Sequence, residues 1–421
     1  MRMTLLHLVS EQTMQNLLPM LALRPEIVVQ VRSRADRFHQ AAENLRSAVT
    51  AIRKTPSYRA WAPEFFELVI DEVSPSTDRT RRKVGESLSL WPGAVVNLTG
   101  GTKPMCIGAY LAADFQREPV LYCDTQERAF VSLNERCPLP KVPSFDEIAA
   151  TLNVETVLAA HGRGPNRWHS KVPSAGLKIF GSRAAAIRSA ASPREFELLI
   201  RLLRTHFRPG GKYLPKVGPL VADSALKAEY FAAAAQAGLL VAAENGLAES
   251  EQAFGRHTES GSAPTAYFPF RQSKKENEEL HKRLDGVWLE LHVLDILQDN
   301  PRFHDPHWSV EPAGTEGDFG ETDILCVDRL KAGLLLVSCK SIAPGLEHFE
   351  ALRRRSELFG GSHTQAVVCV FYPPAHAPEC RRWAKSLNVT ALMGEGEIAA
   401  FFKASPDGQA SNPQSPTAIS R

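Results

Sequence analysis

Residues 95–105 read VVNLTGGTKPM, an apolar strand followed by a glycine pair, a threonine, a lysine and the start of a helix. Gly100 and Gly101 allow the backbone to approach a ligand closely, and the helix behind them offers free N–H groups and the positive end of its dipole. Thr102 can add a hydroxyl donor and Lys103 a charge. The pattern predicts a phosphate site that is not a P-loop, because GxxxxGK[ST] is absent. The alternative is a tight strand–helix turn whose glycines serve packing.

A second group of reactive side chains lies far downstream. Glu290 falls on the apolar face of a predicted helix, where an unpaired carboxylate is costly. In the strand ETDILCV, alternation places Asp323 on the same face as Leu325. In the strand LLLVSCK, it places Ser338 and Lys340 on one face. Carboxylates bind Mg²⁺ or Mn²⁺, which activate water, and a lysine can neutralise developing charge. These residues predict metal-dependent phosphodiester hydrolysis, unless Glu290 reaches solvent from the edge of its stripe.

This arrangement resembles the PD-(D/E)xK nuclease core over about residues 275–400: a helix glutamate, a hairpin aspartate, then (D/E)xK on the next strand. The resemblance implies the catalytic residues Glu290, Asp323, Ser338 and Lys340. It implies metal contacts from Glu290, Asp323 and the backbone carbonyl of Cys339.

One position departs from that pattern. Ser338 stands where the family has a carboxylate. A serine can still hydrogen-bond a metal-bound water, and Glu290 or Glu321 can supply the second carboxylate. A weak or silent metal site is the alternative.

The N-terminal region carries a second resemblance. Residues 6–12 LHLVSEQ, 94–103 AVVNLTGGTK and 121–125 LYCDT are similar to the CARF domains of CRISPR-associated proteins, Rossmann-like sensors of cyclic oligoadenylates. TGGTK resembles in particular the subfamily fused to nucleases. The likeness covers roughly residues 1–135 and implies a homodimer with the ring-shaped ligand across its two-fold axis. The implied ligand contacts are Ser10, Gln12, Thr99, Gly100, Gly101, Thr102 and Lys103.

Other charged groups have weaker patterns. Glu72 and Asp124 also end predicted strands and could face the ligand. The arginines at 353–355 could contact a nucleic-acid backbone, or they form a solvated helix face. The run His304-Asp305-Pro306-His307 falls in a predicted loop without partners of matching spacing, so we assign it no site.

Hydrophobic periodicity predicts the elements that position these residues. Short, continuous, β-branched runs are typical of strands buried on both faces. The N-terminal part has five such runs, at 3–9, 27–31, 65–70, 94–98 and 119–123. Segments with helical spacing lie between them, most clearly 35–54. This alternation predicts an α/β fold with an open, mostly parallel sheet that binds ligands at the carboxyl ends of its strands. Residues 128–133 could add an antiparallel hairpin.

Four regions follow. We expect a Rossmann-like CARF domain at 1–143, a helical connector at 144–272, a PD-(D/E)xK restriction-endonuclease-like α/β domain at 273–403 and a disordered tail at 404–421. A winged-helix-like connector is the alternative for the second region.

Within the third region the periodicity predicts a definite order of elements. We expect a helix at 277–298, a polar loop to about residue 320, and a hairpin of two strands. A basic helix at 346–359, one more strand and a last helix follow.

Composition sets broad limits. A length of 421 residues suggests two or three domains, and a net charge of +2 neither requires nor excludes nucleic acid. Seven scattered cysteines without a CxxC pair fit a reducing compartment. The N-terminus has too short an apolar run for a signal peptide, and no stretch approaches the ~18 apolar residues of a membrane span. We therefore expect a cytoplasmic protein without a membrane partner.

Together the two modules predict a nuclease of type III CRISPR antiviral defence. The resemblance implies cyclic tetra-adenylate as allosteric activator, Mn²⁺ or Mg²⁺ as cofactor, and DNA and/or RNA as substrate. One alternative is a ligand-sensing, DNA-binding regulator with an inactive nuclease-like domain. Another is an unregulated repair or restriction nuclease.

Overall fold

The first sheet belongs to the N-terminal unit of the protein, which we describe from a computed structural model. The structure describes residues 2–164, 168–172, 241–242, 266–267, 286–312, 320–340, 344–371 and 373–403. The strands of the first sheet are β1 (Thr4–Leu8), β2 (Ile27–Ser33), β3 (Glu64–Ile70), β4 (Val95–Asn97), β5 (Val120–Asp124) and β6 (Ala129–Ser132). Its helices are α1 (Met14–Leu23), α2 (Asp36–Ile52), α3 (Thr77–Leu90) and α4 (Lys103–Gln116). A 3₁₀ turn, Pro56–Tyr58, precedes β3.

This sheet has the order β3-β2-β1-β4-β5-β6. Its first five strands are parallel, and β6 is antiparallel to β5, which confirms the predicted hairpin. α1 and α2 pack in one core and α3 and α4 in another, on opposite faces of the sheet. The spacing predicted for residues 35–54 is confirmed by the buried side chains of α2: Phe38, Ala41, Ala42, Leu45, Ala48, Val49 and Ile52.

The strand order reverses between β1 and β4. β1 pairs with β2 on one side and with β4 on the other. At such a switch point the connections leave toward opposite faces and open a crevice at the carboxyl ends of the strands. Ser10 follows β1, and residues 99–103 follow β4. The predicted ligand residues therefore lie at the position where a doubly wound sheet binds its ligands.

Shorter elements follow the first sheet. They are α5 (Phe145–Ala149), α6 (Val154–Ala160), β7 (Trp168–Lys171), β8 (Val241–Ala242) and β9 (Ala266–Tyr267). β8 and β9 pair with each other. Most of the region predicted as a helical connector, 144–272, lies outside the described residues, so that connector stays a prediction.

The second sheet has the order β14-β13-β12-β11-β10-β7. Its remaining strands are β10 (Phe303–Pro312), β11 (Thr322–Asp328), β12 (Gly333–Lys340), β13 (Thr364–Val370) and β14 (Val389–Met393). Its helices are α7 (Trp288–Gln298), α8 (Leu346–Gly360), α9 (Ala377–Ser386) and α10 (Glu395–Lys403), with a 3₁₀ turn at Gly361–His363. β12, β13 and β14 are parallel, whereas β7, β10, β11 and β12 are successively antiparallel. The described residues thus form an α/β protein with two six-stranded sheets besides the short β8–β9 pair, and the predicted α/β fold class is confirmed.

Two details of this unit correct the prediction. The expected polar loop before residue 320 is wrong for 303–312, which form β10. The expected single last helix is also wrong, because β14 separates α9 from α10. Strand β10 was not predicted because its pairing has a bulge between His304 and His307. The bulge interrupts the alternation of buried and exposed side chains from which strands are predicted. Of the helix predicted at 277–298, residues 277–285 lie outside the described part.

Helix α6 joins the two units. The Thr13 hydroxyl of the N-terminal unit donates to the Ala160 carbonyl at 2.6 Å. At the other end of α6, the Val154 N–H donates to Asp305 Oδ2 of β10 at 2.8 Å. A continuous apolar core extends from β1 to β12 through the buried α6. No helix among the described residues is long and apolar enough to cross a membrane.

Candidate ligand and nuclease sites

The glycine pair after β4 packs directly on the end of β1. A Cβ added to Gly100 would lie 2.3 Å from the Leu8 carbonyl oxygen and 3.0 Å from Ser10 Cβ. Gly101 has φ +82°, and its Cβ would lie 2.8 Å from Leu8 Cβ. Only glycine fits both positions. The packing role and the phosphate role are therefore compatible, since close packing is what places the turn beside Ser10.

The start of α4 offers donors at this edge. Thr102 is the N-cap residue of α4, yet its hydroxyl makes no capping hydrogen bond. Lys103 is exposed. The first N–H groups of a helix lack intrahelical acceptors and favour an anion. Thr102, Lys103 and the helix terminus can together hold a phosphate.

The hydroxyl groups of the predicted contacts Thr99 and Ser10 already make hydrogen bonds within the protein. The Thr99 hydroxyl donates to Asn97 Oδ1 at 2.6 Å and accepts from the Cys123 N–H at 2.7 Å, so it links β4 to β5. Ser10 Oγ accepts from the Gln12 N–H at 3.2 Å. The structure thus brings Ser10, Gln12 and the turn to one edge, but it gives Thr99 a structural role.

Two buried asparagines organise this edge, and neither was predicted from the sequence. Asn16 accepts from the Ser10 N–H at 3.0 Å and donates to the Leu8 carbonyl at 2.8 Å. Asn97 donates to the Gln15 carbonyl at 3.3 Å. An amide inside an apolar run, as in VVNL, was the available signal.

Glu72 and Asp124 have local partners. Glu72 accepts from the Ser76 N–H at 3.2 Å. Asp124 accepts from the N–H groups of Gln126 and Glu127 at 2.9 and 3.0 Å. Both carboxylates stabilise the turns that follow them, so one oxygen of each is already occupied by backbone N–H groups rather than directed at a ligand.

The β11–β12 hairpin assembles the second site. Asp323 Oδ2 accepts from the Cys339 N–H at 2.5 Å and from the Ser338 hydroxyl at 3.3 Å, and Lys340 Nζ lies 3.9 Å from the same oxygen. The registered pair Ile324 and Val337 lies directly beside this group. Sequence alternation placed these side chains on shared faces, and the pairing brings them together.

Glu290 reaches this site from helix α7. Its Oε2 accepts from the Trp308 indole N–H at 2.8 Å. Burial, and next the negative charge of Asp323, raise the pKa of Glu290 to about 8. Burial also raises the pKa of Asp323, against the opposing charge of Lys340. Two neighbouring buried carboxylates that disfavour each other's charge are a donor set that a divalent cation would stabilise.

A third carboxylate and a buried guanidinium border the site. The Ser309 hydroxyl donates to Glu321 Oε1, and Lys171 Nζ of β7 lies 3.5 Å from the same carboxylate. Arg355 donates to the Glu321 carbonyl oxygen and is 9% exposed.

The other two arginines of the run 353–355 differ from Arg355. Arg353 pairs with Glu357 at 2.9 Å, and Arg354 is exposed. The predicted basic helix therefore turns one arginine toward the site and leaves the others on the solvated face. Helical rotation of about 100° per residue separates them.

Residues 304–307 of β10 contact the start of helix α6. Asp305 accepts from the Val154 N–H, and His304 Nε2 contacts the Leu152 carbonyl. Burial opposes ionisation of Asp305, but hydrogen bonds from His307 and Val154 outweigh it and lower the pKa of Asp305.

Among the described residues, one group of three metal-ligand side chains lies within 4.8 Å, namely His39, Glu43 and Glu67 on the surface. Glu67 is already paired with Arg32 and Arg46, both at 2.8 Å. At the candidate nuclease site, Glu290 and Asp323 would supply two ligands, and Mg²⁺ commonly completes its shell with water and substrate phosphate. The site therefore fits a divalent cation.

Comparison with known proteins defines the N-terminal unit. Residues 4–141 match the family model of the Card1 CARF domain. The N-terminal unit is therefore a CARF domain of the Card1 type, which confirms the resemblance seen in the TGGTK turn. No curated protein sequence matches the chain.

Solved structures share the fold over both units. Can2 from Sulfobacillus thermosulfidooxidans, solved in complex with cyclic tetra-adenylate, is 14% identical with a TM-score of 0.64, and the match covers 95% of this chain and 97% of that chain. Protein VC1899 from Vibrio cholerae is 15% identical with a TM-score of 0.67, covering 95% and 96%. A type III CRISPR defence DNA nuclease activated by cyclic oligoadenylate is 17% identical with a TM-score of 0.47, covering 94% of this chain and 49% of that chain. The first two likenesses establish a shared two-sheet fold.

Proposed function

We propose that this protein is a CRISPR effector nuclease whose CARF domain binds a cyclic oligoadenylate and switches on a metal-dependent site in the second unit. The observation that carries the proposal is the convergence of Glu290, Asp323, Ser338 and Lys340 at one hairpin of a chain that begins with a CARF domain. Cyclic tetra-adenylate is the proposed activator, because Can2, which shares the fold, was solved with that ligand. A type III CRISPR antiviral role and a cytoplasmic location belong to the same proposal.

Ligand binding is assigned to the edge between β1 and β4. Lys103 and the N-terminus of α4 would hold phosphate, and Thr102 would add its hydroxyl. Ser10, Gln12 and the backbone of Gly100 and Gly101 line the same edge. Thr99 stays a proposed contact through its position, although its hydroxyl is engaged within the sheet.

Catalysis is assigned to the edge of the second sheet. Glu290, Asp323 and the Cys339 carbonyl would hold Mn²⁺ or Mg²⁺, which supplies activated water and charge neutralisation when bound. Lys340 Nζ lies 3.9 Å from Asp323 Oδ2, where it can orient a water molecule or offset charge on the scissile phosphate. Ser338 donates to Asp323 and so supports its charged form. Glu321 is a proposed additional carboxylate.

The substrate is proposed to be DNA, RNA or both. The regulator alternative is favoured by one observation, the serine at 338 in place of a carboxylate. Against it, the charged groups of the site are assembled, with Asp323 buried and Glu290 and Lys340 half-buried, an arrangement that a silent domain does not need.

A cleavage assay tests the function directly. Plasmid, single-stranded DNA and RNA would be incubated with Mn²⁺ or Mg²⁺, with and without cyclic tetra-adenylate. We expect cleavage only with metal and ligand together. Asp323→Asn and Lys340→Ala should each lower the rate at least about 100-fold, because one removes a ligand charge and the other the cation beside it.

Ligand binding by the same variants separates the two sites. Asp323→Asn and Lys340→Ala should bind cyclic tetra-adenylate with wild-type affinity. Lys103→Ala should need about 10-fold more ligand for half-activation, whereas substitution of another exposed lysine, Lys141→Ala, should not. Full cleavage by Asp323→Asn would place the active site elsewhere, and cleavage without ligand would favour an unregulated nuclease.

A further inference from the structure

Strand β10 is irregular at two positions. Its pairing with β11 gains one residue between His304 and His307. Asp305, inside this bulge, has φ +51°, and Ser309 has φ +54°, a region that non-glycine residues take rarely. Because side chains alternate with a period of two, an extra residue decides which face the following side chain, Trp308, takes.

Two residues of β10 after the bulge donate hydrogen bonds to carboxylates of the proposed nuclease site, Glu290 and Glu321. The Trp308 indole N–H donates to Glu290 at 2.8 Å. Its neighbour Ser309 donates to Glu321. An indole N–H only donates, so it holds a carboxylate oxygen without competing for a proton or a metal ion.

Glu290 lies on a different element from the other charged groups of the candidate site. It lies on helix α7, whereas Asp323 and Lys340 lie on the β11–β12 hairpin. Trp308 is paired with Ile324, the residue next to Asp323. The Trp308 indole therefore connects the Glu290 carboxylate to the sheet at the strand position next to Asp323.

The bulge itself is anchored on the joint with the CARF domain. Asp305 accepts from the Val154 N–H at the start of α6. The far end of α6 is held at Ala160 by the Thr13 hydroxyl, three residues after Ser10 in the chain. Direct contacts thus run from the ligand edge through α6 and β10 to Glu290.

On the basis of the nuclease function proposed above, we propose that Trp308 is a positioning residue for the Glu290 carboxylate, and that the bulge at Asp305 makes this positioning depend on the CARF domain through α6.

The first test removes the indole N–H. Trp308→Phe keeps an aromatic ring and should weaken binding of Mn²⁺ alone, measured by calorimetry, by about 10-fold or more. It should lower kcat while leaving the KM for nucleic acid unchanged. Trp61→Phe is the matched control, since it removes an indole hydrogen bond of equal length, 2.8 Å to the Pro25 carbonyl, in the other unit. It should change neither value.

The second test breaks the joint. Asp305→Ala should reduce the ratio of cleavage rates with and without cyclic tetra-adenylate by about 10-fold, with ligand affinity unchanged. Asp305→Asn keeps an oxygen that can accept from Val154 and should restore most of the ratio. Thermal unfolding of each variant would show that the fold is retained.

The outcomes distinguish this inference from the proposed function. If the wild type cleaves and Glu290→Ala does not, unchanged Mn²⁺ affinity and kcat in Trp308→Phe overturn the positioning role alone. An unchanged activation ratio in Asp305→Ala overturns the coupling. If the wild type neither cleaves nor binds Mn²⁺, the proposed function and the inference both fail.

Discussion

One carboxylate oxygen, Asp323 Oδ2, collects a backbone N–H, a hydroxyl and an ammonium group within 3.9 Å. A carboxylate at position 338 would instead have placed a second negative charge against Asp323. In the proposed metal site, the serine therefore avoids that repulsion, and Glu290 would be the main second source of negative charge for a bound cation.

His7 gives a prediction about pH at the residue scale. It is 0% exposed in β1, and neither ring nitrogen has a hydrogen-bond partner among the described residues. Burial lowers the pKa of His7 to about 3, whereas a histidine in an unfolded chain titrates near ~6.5. Between these values the unfolded chain binds a proton that the folded chain does not. The free energy of unfolding should therefore fall as pH decreases, by about 1.4 kcal/mol per pH unit from this residue.

Denaturant unfolding of His7→Leu checks this expectation. The variant should lack the contribution of His7 to the fall in the free energy of unfolding between pH 6.5 and 4.5. The difference in this free energy between variant and wild type should therefore change by up to about 2 kcal/mol over that range. His39→Gln, at an exposed position, should keep the wild-type slope. Parallel pH profiles for His7→Leu and the wild type would show that His7 is not buried neutral.

At the scale of elements, α3 and α4 approach each other closely at Gly108. A Cβ there would lie 2.4 Å from the Thr77 carbonyl oxygen and 2.9 Å from Thr80 Cβ. Gly108→Ala should force the helices apart and destabilise the CARF domain by about 1–3 kcal/mol, measured by urea unfolding.

Gly85 on α3 is the matched control for this substitution. Its added Cβ would meet only Gln116 Nε2, at 3.6 Å. Gly85→Ala should be neutral or stabilising by up to about 1 kcal/mol, since alanine favours a helix. Equal effects of the two substitutions would contradict the close helix contact.

At the scale of the whole molecule, the CARF domain leaves an apolar stripe uncovered. Ile107, Leu111 and Phe115 recur every four residues on α4 and are 54%, 43% and 88% exposed. This stripe belongs to the helix that begins at Lys103, beside the ligand edge. A second copy packed on it would bring two ligand edges together around a ring with two-fold symmetry. We therefore propose that the protein forms a homodimer and that its interface lies on α4.

Light scattering after size exclusion tests the dimer. Leu111→Glu should weaken association by about 2 kcal/mol or more, because it buries a charge in an apolar contact, and should weaken binding of the cyclic ligand. Val172→Glu, at an 87% exposed position in the other unit, should remain dimeric. A dimeric Leu111→Glu variant would move the interface to another face.

Local regularities were readable in the sequence. The strand–helix alternation, the TGGTK turn and the hairpin with Asp323 and Lys340 depend on neighbours within a few residues, so periodicity and turn chemistry predict them. The same local signals made the CARF domain recognisable from residues 94–103 and from the ends of β1 and β5.

Other features were decided only by tertiary structure. The polar residues of β10 resemble a loop because their partners, such as Val154 for Asp305, are 151 residues away in the chain. Helix rotation separates Arg355 from its two neighbours, but only packing shows which of the three turns inward. The hydrogen bond from Trp308 to Glu290 depends on the packing of α7 against β10, which the sequence does not show. Periodicity reports which side of an element is buried, whereas the partner of a buried polar group depends on the three-dimensional arrangement of distant segments.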